Sequence, residues 1–297
     1  MQLLLHIKLI FLENLVLTRG LMEKHWTEKL FIENASLYGV ALEERIEKAS
    51  VDVLGLIKIF SEFQISRGSL VLDLACGIGR HSVALAESGF RVVGVDLSPA
   101  YITRARELAA ERGVGDKCDF RIGDMRRINE VLKGYEGKFK AVLSLFTSMG
   151  YYDEETDKQI LMQLKALTAP KGVLIIDVSN RDWIIRHFQA RDFNQFGDGL
   201  VMIVERKFNL ENSRMENIWR FYMKQEEGLK HLSTIEIDHR VYSLHELKKQ
   251  VEESGWTYQT CYGNLNLQPF TMDSRRMLLV ATKKGSNIAS SGASPAS

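Results

Sequence analysis

The hydrophobic pattern alternates between short buried strands and amphipathic helices through the first 180 residues. Apolar runs between turn residues predict the strands, and apolar positions at helical spacing predict the helices. The predicted strands are Leu70–Leu74, Arg91–Val95, Asp119–Ile122, Lys140–Leu143 and Val173–Val178. The predicted helices are Leu42–Phe63, Arg80–Glu87, Tyr101–Arg112 and Glu154–Leu167. This alternation is typical of an α/β protein with a parallel sheet covered by helices on both faces.

The pattern changes after Asn180, where long segments of alternating apolar, polar and aromatic residues predict antiparallel strands. A short helix precedes these strands, and one more helix and two strands follow them. In chain order the predictions are helix Arg181–Phe188, strands Leu200–Phe208, Met215–Met223 and Leu232–Val241, helix Leu244–Glu253, and strands Trp256–Tyr262 and Arg276–Thr282. The predicted organisation is an extension (1–21), a core (22–180), an antiparallel insert (181–243), the end of the core (244–284) and a tail (285–297).

The two ends of the chain differ from the core in composition. The leucine-rich start is interrupted by Lys8, Glu13 and Asn14 and has no basic segment before it, so we expect neither a secretory signal nor a membrane span. Two interpretations stay open: an amphipathic helix that packs on the domain, or an upstream extension to a functional chain that starts at Met22. Residues 285–297 are small and polar, and we expect them to be disordered.

Composition and charge narrow the class of partner. The chain has 297 residues, 26% of them charged, and a formal net charge of +1, so no global field draws it to nucleic acid or to an anionic membrane. Cys76, Cys118 and Cys261 are odd in number and form no C-x-x-C pair, which indicates neither a disulfide framework nor a zinc site. We therefore expect a cytoplasmic protein without a metal and with no membrane partner. The charge does not favour a nucleic-acid partner, but a local basic patch stays open.

A glycine turn and two acidic residues follow the first two strands. The turn reads Asp73-x-Ala75-x-Gly77-x-Gly79, and the second strand ends on Asp96. A βαβ unit of this kind binds a nucleotide-shaped ligand at the carboxyl ends of its strands, and Asp96 is placed to accept hydrogen bonds from a ribose diol. Ser82 occupies the place of a third glycine, and Asp73 would repel a pyrophosphate, so the turn is not built for NAD.

These motifs resemble those of the class I S-adenosylmethionine-dependent methyltransferases. The resemblance continues through Gly123-Asp124-Met125 and Phe139-Lys-Ala-Val-Leu-Ser144 and covers roughly Glu43 to Lys284. It implies a doubly wound, Rossmann-like seven-stranded sheet with an antiparallel last strand, and S-adenosyl-L-methionine as the cofactor. The predicted antiparallel insert is similar to the lid of small-molecule N- and O-methyltransferases, including those acting on glycine and on amino sugars.

The resemblance implies a role for individual residues. Asp124 would accept the adenine amino group while Met125 packs on the ring, with a helix N-cap as the alternative for Asp124. Arg45 would pair with the methionine carboxylate, with a solvated helix face as the alternative. The full cofactor set is Arg45, Asp73, Ala75, Gly77, Gly79, Asp96, Leu97, Asp124, Met125 and Leu145. The acceptor candidates are Phe146, Ser148, Tyr151 and Arg240.

The chemistry expected of this family is an in-line displacement on a sulfonium methyl group in a pocket that excludes water. It requires no nucleophilic side chain and no metal, so no catalytic residue is assigned. We expect a small-molecule N or O acceptor beneath the inserted strands, with Trp219, Phe221 and Tyr222 lining or bracing that roof. The alternative is an RNA or protein methyltransferase, although Leu145-Phe-Thr-Ser replaces the Asn/Asp-Pro-Pro-Tyr/Phe motif of base-amine enzymes. The acceptor atom and the oligomeric state stay open.

Overall fold

Two β-sheets organise residues 24–197 and 199–283, which the computed structural model describes. The helices are α1 (Trp26–Glu28), α2 (Ala35–Glu43), α3 (Ile46–Glu62), α4 (Arg80–Glu87), α5 (Pro99–Glu111), α6 (Ile128–Val131), α7 (Glu154–Leu167), α8 (Arg181–Arg186) and α9 (Leu244–Glu253). The strands are β1 (Leu70–Leu74), β2 (Arg91–Asp96), β3 (Cys118–Ile122), β4 (Phe139–Ser144), β5 (Thr168–Ser179), β6 (Arg191–Phe196), β7 (Leu200–Asn209), β8 (Arg214–Lys224), β9 (Leu229–Arg240), β10 (Trp256–Tyr262) and β11 (Arg276–Lys283). A π-helical turn, Lys29–Glu33, joins α1 to α2.

The larger sheet has seven strands in the order β10-β11-β5-β4-β1-β2-β3. Strand β1 pairs in parallel with β2 on one side and with β4 on the other. The last strand, β11, runs antiparallel to both β5 and β10. The predicted fold, a seven-stranded sheet with an antiparallel last strand, is therefore confirmed.

Helices cover both faces of this sheet because the apolar positions of the central strands alternate between the two faces. On one face Leu72 packs with Ile160 of α7 and Val251 of α9 in a single cluster. On the other face Val71 packs with Leu56 of α3. Each such side chain contributes roughly 1.5–3 kcal/mol when fully buried. Strands β3, β2, β1, β4 and β5 all point the same way, so their carboxyl ends share one edge of the sheet.

The smaller sheet is antiparallel, in the order β6-β7-β8-β9. It confirms the predicted antiparallel insert and adds one strand, Arg191–Phe196, which the sequence did not indicate. That strand reads Arg-Asp-Phe-Asn-Gln-Phe, and its residues alternate between exposed and half-buried positions at the sheet edge. An edge strand without a buried face lacks the apolar alternation from which strands are predicted.

Residues 26–43, which we call the cover, lie between the two sheets. Trp26 and Leu30 of the cover pack with Phe221 of the smaller sheet in one buried cluster. The helix predicted over Leu42–Phe63 is confirmed from Ile46 to Glu62, but its predicted start is wrong, because the chain leaves helical geometry at Arg45 (φ −107°, ψ 2°). The Arg45 side chain donates to the Ala41 carbonyl at 2.5 Å and satisfies an acceptor at the end of α2.

The predictions for residues 1–21 and 285–297, and for a start at Met22, lie outside the described residues. Among the helices that the structure does describe, none is long and apolar enough to cross a membrane.

Candidate functional site

A cavity of about 870 Å³, counting its mouth, opens at the shared carboxyl edge of the parallel strands. Strand ends and their loops contribute Asp73, Leu74, Ala75, Cys76, Gly77, Ile78, Arg80, His81, Val95, Asp96, Leu97, Tyr101, Gly123, Asp124, Met125, Leu145, Phe146, Ser148, Tyr151 and Tyr152. The cover contributes Thr27, Phe31, Tyr38 and Leu42.

The glycine turn after β1 adopts left-handed backbone geometry at Ala75, Gly77 and Gly79. At Gly79 a Cβ atom would lie 2.8 Å from the Ala105 Cβ and 2.9 Å from the Phe120 ring, so only glycine fits between these groups. Gly79 lies outside the lining of the cavity. Glycine is required at this position because the turn packs closely against α5 and β3. Gly77 does line the cavity, as predicted for close approach of a ligand.

Asp96 connects the glycine turn to the end of β2. Its Oδ2 accepts the backbone N–H of Gly77 at 2.8 Å, and its Oδ1 accepts that of Ser98 at 2.9 Å. The carboxylate is buried, and burial raises its pKa to about 6, although both backbone hydrogen bonds favour the ionised form. Each carboxylate oxygen can accept a further hydrogen bond, so the pair of oxygens can still receive a diol.

The other two predicted acidic residues also line the cavity. Asp73 is buried and accepts a hydrogen bond from the Ser82 hydroxyl at 2.5 Å; burial raises its pKa. Asp124 accepts the backbone N–H of Arg126 at 2.8 Å and so caps the short helical turn that follows. Although burial opposes ionisation of Asp124, the hydrogen bonds from Arg126 lower its pKa below the ordinary value. The N-cap alternative for Asp124 therefore describes its contacts, and its position in the cavity wall is compatible with both roles.

A strained turn follows β4, where Phe146 (φ +60°) and Thr147 (φ +64°) both have left-handed backbone geometry. Asp177, at the end of β5, holds this turn by accepting the Phe146 N–H on Oδ2 at 3.0 Å and the Thr147 N–H on its carbonyl at 2.8 Å. Arg276 of β11 donates in turn to both carboxylate oxygens of Asp177, at 2.6 and 2.7 Å. The last strand therefore fixes the loop that presents Phe146 to the cavity.

Ser148 and Tyr151, two further acceptor candidates, also belong to the cavity wall. The Ser148 hydroxyl donates to the Leu145 carbonyl at 2.8 Å and stabilises the loop. The Tyr151 ring lies 4.9 Å from that of Trp26 and 5.9 Å from that of Phe31, both in the cover. Burial raises the pKa of the Tyr151 phenol, which therefore stays protonated at neutral pH.

Besides Gly79, two further predicted site residues lie outside the cavity lining. Arg240 forms ion pairs with Glu154 and Glu246, which hold the end of β9 against α7 and α9. Arg45 donates to the helix end described above, and its guanidinium lies 5.4 Å from the Phe146 ring centroid. The charge of Arg240 is neutralised by these two carboxylates, and its role as an acceptor contact stays a prediction.

The inserted sheet supports the cavity indirectly. All lining residues among those described come from the core and the cover, and none from β6 to β9. Trp219 of β8 lies 5.7 Å from the Tyr38 ring, and Phe221 belongs to the cluster around Trp26. These strands brace the cover, and the cover lies over the cavity. The expectation that the strands themselves form the roof of the acceptor site stays a prediction. The aromatic residues at positions 26, 31 and 38 are the feature of the sequence from which the cover could have been predicted.

Comparison with known proteins connects this site to a family. Residues 71–172 match the family described as a methyltransferase domain. A carboxy-S-adenosyl-L-methionine synthase from Chromohalobacter salexigens is 27% identical over 172 residues, 54% of this chain and 60% of the relative. A glycine/sarcosine N-methyltransferase from Halorhodospira halochloris is 33% identical over 138 residues, 46% of this chain and 50% of the relative. The chain thus matches between half and two thirds of the length of these curated relatives.

Solved structures share the fold. The crystal structure of an S-adenosylmethionine-dependent methyltransferase from Clostridium acetobutylicum aligns with a TM-score of 0.68 and 18% identity, covering 85% of this chain and 98% of that protein. This likeness confirms the predicted Rossmann-like sheet, and the match of residues 71–172 to a methyltransferase-domain family agrees with the predicted resemblance to class I methyltransferases.

Proposed function

We propose, from the premise that residues 71–172 belong to the methyltransferase-domain family, that this chain transfers a methyl group from S-adenosyl-L-methionine to a small-molecule N or O acceptor. The observation that carries the proposal is the position of the Asp96 carboxylate. It is buried at the end of β2, tied to the glycine turn, and lines the cavity with acceptor capacity left on both oxygens. A ribose diol is the group that such a carboxylate binds in nucleotide sites.

The residues that line the cavity support this cofactor because each part of it would meet a predicted site residue. Asp96, Asp124 and Met125 follow β2 and β3 and would hold the adenosine part, with the Met125 side chain against the base. Asp73, Gly77 and other residues that follow β1 and β4 would hold the methionine part. When bound, S-adenosylmethionine supplies an electrophilic methyl group on a sulfonium. The role of the chain is to hold the methyl acceptor close to this methyl group, in the right orientation and shielded from water.

A small-molecule acceptor is supported by the aromatic character of the covered side of the cavity. Phe31 and Tyr38 of the cover face the same space as Phe146 and Tyr151 of the core loop. An apolar wall of this kind favours a reaction in which a sulfonium charge is neutralised. The match to a glycine/sarcosine N-methyltransferase also supports a small acceptor. The near-zero net charge of the chain gives no support to an RNA substrate.

Acidification is expected to weaken S-adenosylmethionine binding through Asp96. The ribose hydroxyls donate to the ionised carboxylate, whose pKa in the ligand-free protein is about 6. Binding should therefore be at full strength above that pKa and weaken as pH falls through it, by up to about tenfold per pH unit. Calorimetric titrations between pH 5 and 7 measure this slope. Asp96→Asn, which cannot titrate, should remove the Asp96 contribution; an unchanged slope in that variant would assign it to another group.

The acceptor class can be tested by following the labelled methyl group. The full chain is incubated with methyl-labelled S-adenosylmethionine and a cell extract separated into small-molecule, RNA and protein fractions. We expect the label in the small-molecule fraction, and much less of it there when the Asp96→Ala variant replaces the wild type at a subsaturating cofactor concentration. Label that accumulates only in the RNA or protein fraction would contradict the small-molecule assignment and favour a macromolecular acceptor.

A further inference from the structure

Arg80 is a buried cation in the cavity wall without an ion-pair partner in the described part of the chain. It is the first residue of α4, directly after the glycine turn, and only 7% of it is exposed. Within residues 24–197 and 199–283 its guanidinium forms no hydrogen bond or ion pair, and its Nε is fully enclosed. Buried charged groups are as a rule paired, because an unpaired one loses its hydration without compensation. An anionic ligand is the compensation that the cavity can admit.

The charged side chains near Arg80 have hydrogen-bond or ion-pair partners other than Arg80. Arg276, on the same side of the cavity, has Asp177 as its partner. The nearby Asp73 accepts the Ser82 hydroxyl. His81, the next residue along the chain, lies 3.2 Å from Asp52. Burial lowers the pKa of Arg80 from its ordinary value, which is the direction expected when a cation lacks compensation.

Aromatic stacking fixes the guanidinium in place. Its carbon atom lies 4.4 Å from the centroid of the Phe146 ring, in the loop that Asp177 and Arg276 hold. The Nε atom is enclosed by the protein, so the terminal Nη groups of a guanidinium held over a ring in this way are those that can donate to a ligand. This fork matches the two oxygens of a carboxylate. A phosphate fits less well, because its second negative charge would lie near the buried Asp73 and Asp96.

We propose that Arg80 binds a carboxylate group inside the cavity. The proposal rests on the proposed function, which supplies two sources of this group: the methionine part of the cofactor, or the methyl acceptor. Because Arg80 lies over Phe146 at the β4 side of the cavity, away from Asp124 after β3, the adenosine part is not its partner.

The test compares Arg80→Met, which removes the charge and keeps much of the volume, with Arg80→Lys, which keeps the charge and loses the fork. Arg91→Met is the matched control, because Arg91 is an exposed arginine at the first position of β2. Binding of S-adenosylmethionine and of its decarboxylated analogue is measured by calorimetry. Succinate and succinamide are then titrated into the complex with S-adenosylhomocysteine. The melting temperature of each ligand-free variant is recorded.

The two sources of the carboxylate give different results. If the cofactor supplies it, Arg80→Met should weaken S-adenosylmethionine binding at least tenfold and leave binding of the decarboxylated analogue unchanged. If the acceptor supplies it, S-adenosylmethionine binding should be unchanged, while succinate, but not succinamide, binds the wild type and fails to bind Arg80→Met. In both cases ligand-free Arg80→Met should melt at or above the wild-type temperature, because an uncompensated buried charge has been removed.

Two results would overturn the proposal. One is equal S-adenosylmethionine binding by Arg80→Met and wild type together with no Arg80-dependent binding of succinate. The other is a ligand-free Arg80→Met that melts well below both the wild type and Arg91→Met, which would make the arginine a structural element. A wild type that binds neither S-adenosylmethionine nor its analogue would contradict the proposed function instead, and succinate binding to the ligand-free chain would still test Arg80.

Discussion

Replacing Asp96 by alanine is expected to weaken S-adenosylmethionine binding by about 1.5–3 kcal/mol, roughly ten- to a hundredfold. The carboxylate would lose its charge-assisted hydrogen bonds to the ribose diol. The substitution also removes the acceptor for the Gly77 N–H, which shapes the turn that approaches the ligand. Both losses act in the same direction on affinity. Calorimetric titration of wild type and variant gives the difference.

Asp116→Ala is the control for this substitution, because Asp116 is an exposed aspartate in the turn before β3. Like Asp96→Ala, it removes one negative charge, but from a residue outside the cavity lining. Its affinity for S-adenosylmethionine should equal that of the wild type. An Asp96→Ala variant that keeps its fold and binds as tightly as Asp116→Ala would show that this carboxylate does not hold the ribose.

Replacing Phe221 by alanine is expected to destabilise the chain by about 3–5 kcal/mol and to reduce methyl transfer far more than cofactor binding. Phe221 is fully buried in β8, in the cluster that holds Trp26 and Leu30 of the cover. The substitution leaves a void between the inserted sheet and the cover. Cofactor affinity should change by less than about tenfold, or 1.4 kcal/mol, because the core strands hold most of that site.

Tyr222→Ala provides the matched comparison, since Tyr222 is the next residue of the same strand and its side chain points to the opposite face. Its ring lies 5.4 Å from that of His231. Melting temperature, transfer rate and cofactor affinity are measured for both variants. If Tyr222→Ala lost transfer as strongly as Phe221→Ala, or if Phe221→Ala retained full transfer, the cover would not depend on this face of the sheet.

The core sheet was predictable because its strands are buried on both faces and read as short apolar runs between turn signals. The break at Arg45 was not, since the apolar spacing from Leu42 to Phe63 continues through it without a proline or glycine at that point. The strand at 191–196 was not predicted because hydrogen bonding to β7, and not a buried face, defines it. Pattern thus identified elements that bury apolar surface and missed those set by tertiary pairing.

The candidate site divides in the same way. Ala75, Gly77 and Asp96 line the cavity because the motif and the strand ends fix their positions along the chain. The pair formed by Asp177 and Arg276 joins residues 99 positions apart and depends on the pairing of β5 with β11, which no local pattern encodes. The cover was not predicted because its position over the cavity depends on tertiary packing against the inserted sheet.

The central claim is that the cavity binds S-adenosylmethionine through Asp96. The most direct measurement is calorimetric titration of the full wild-type chain with S-adenosylmethionine and, separately, with NAD. The expected result is one S-adenosylmethionine bound per chain, with an affinity that Asp96→Ala lowers. NAD should show no comparable affinity, because Asp73 would repel its pyrophosphate. Tight binding of NAD without binding of S-adenosylmethionine would contradict it.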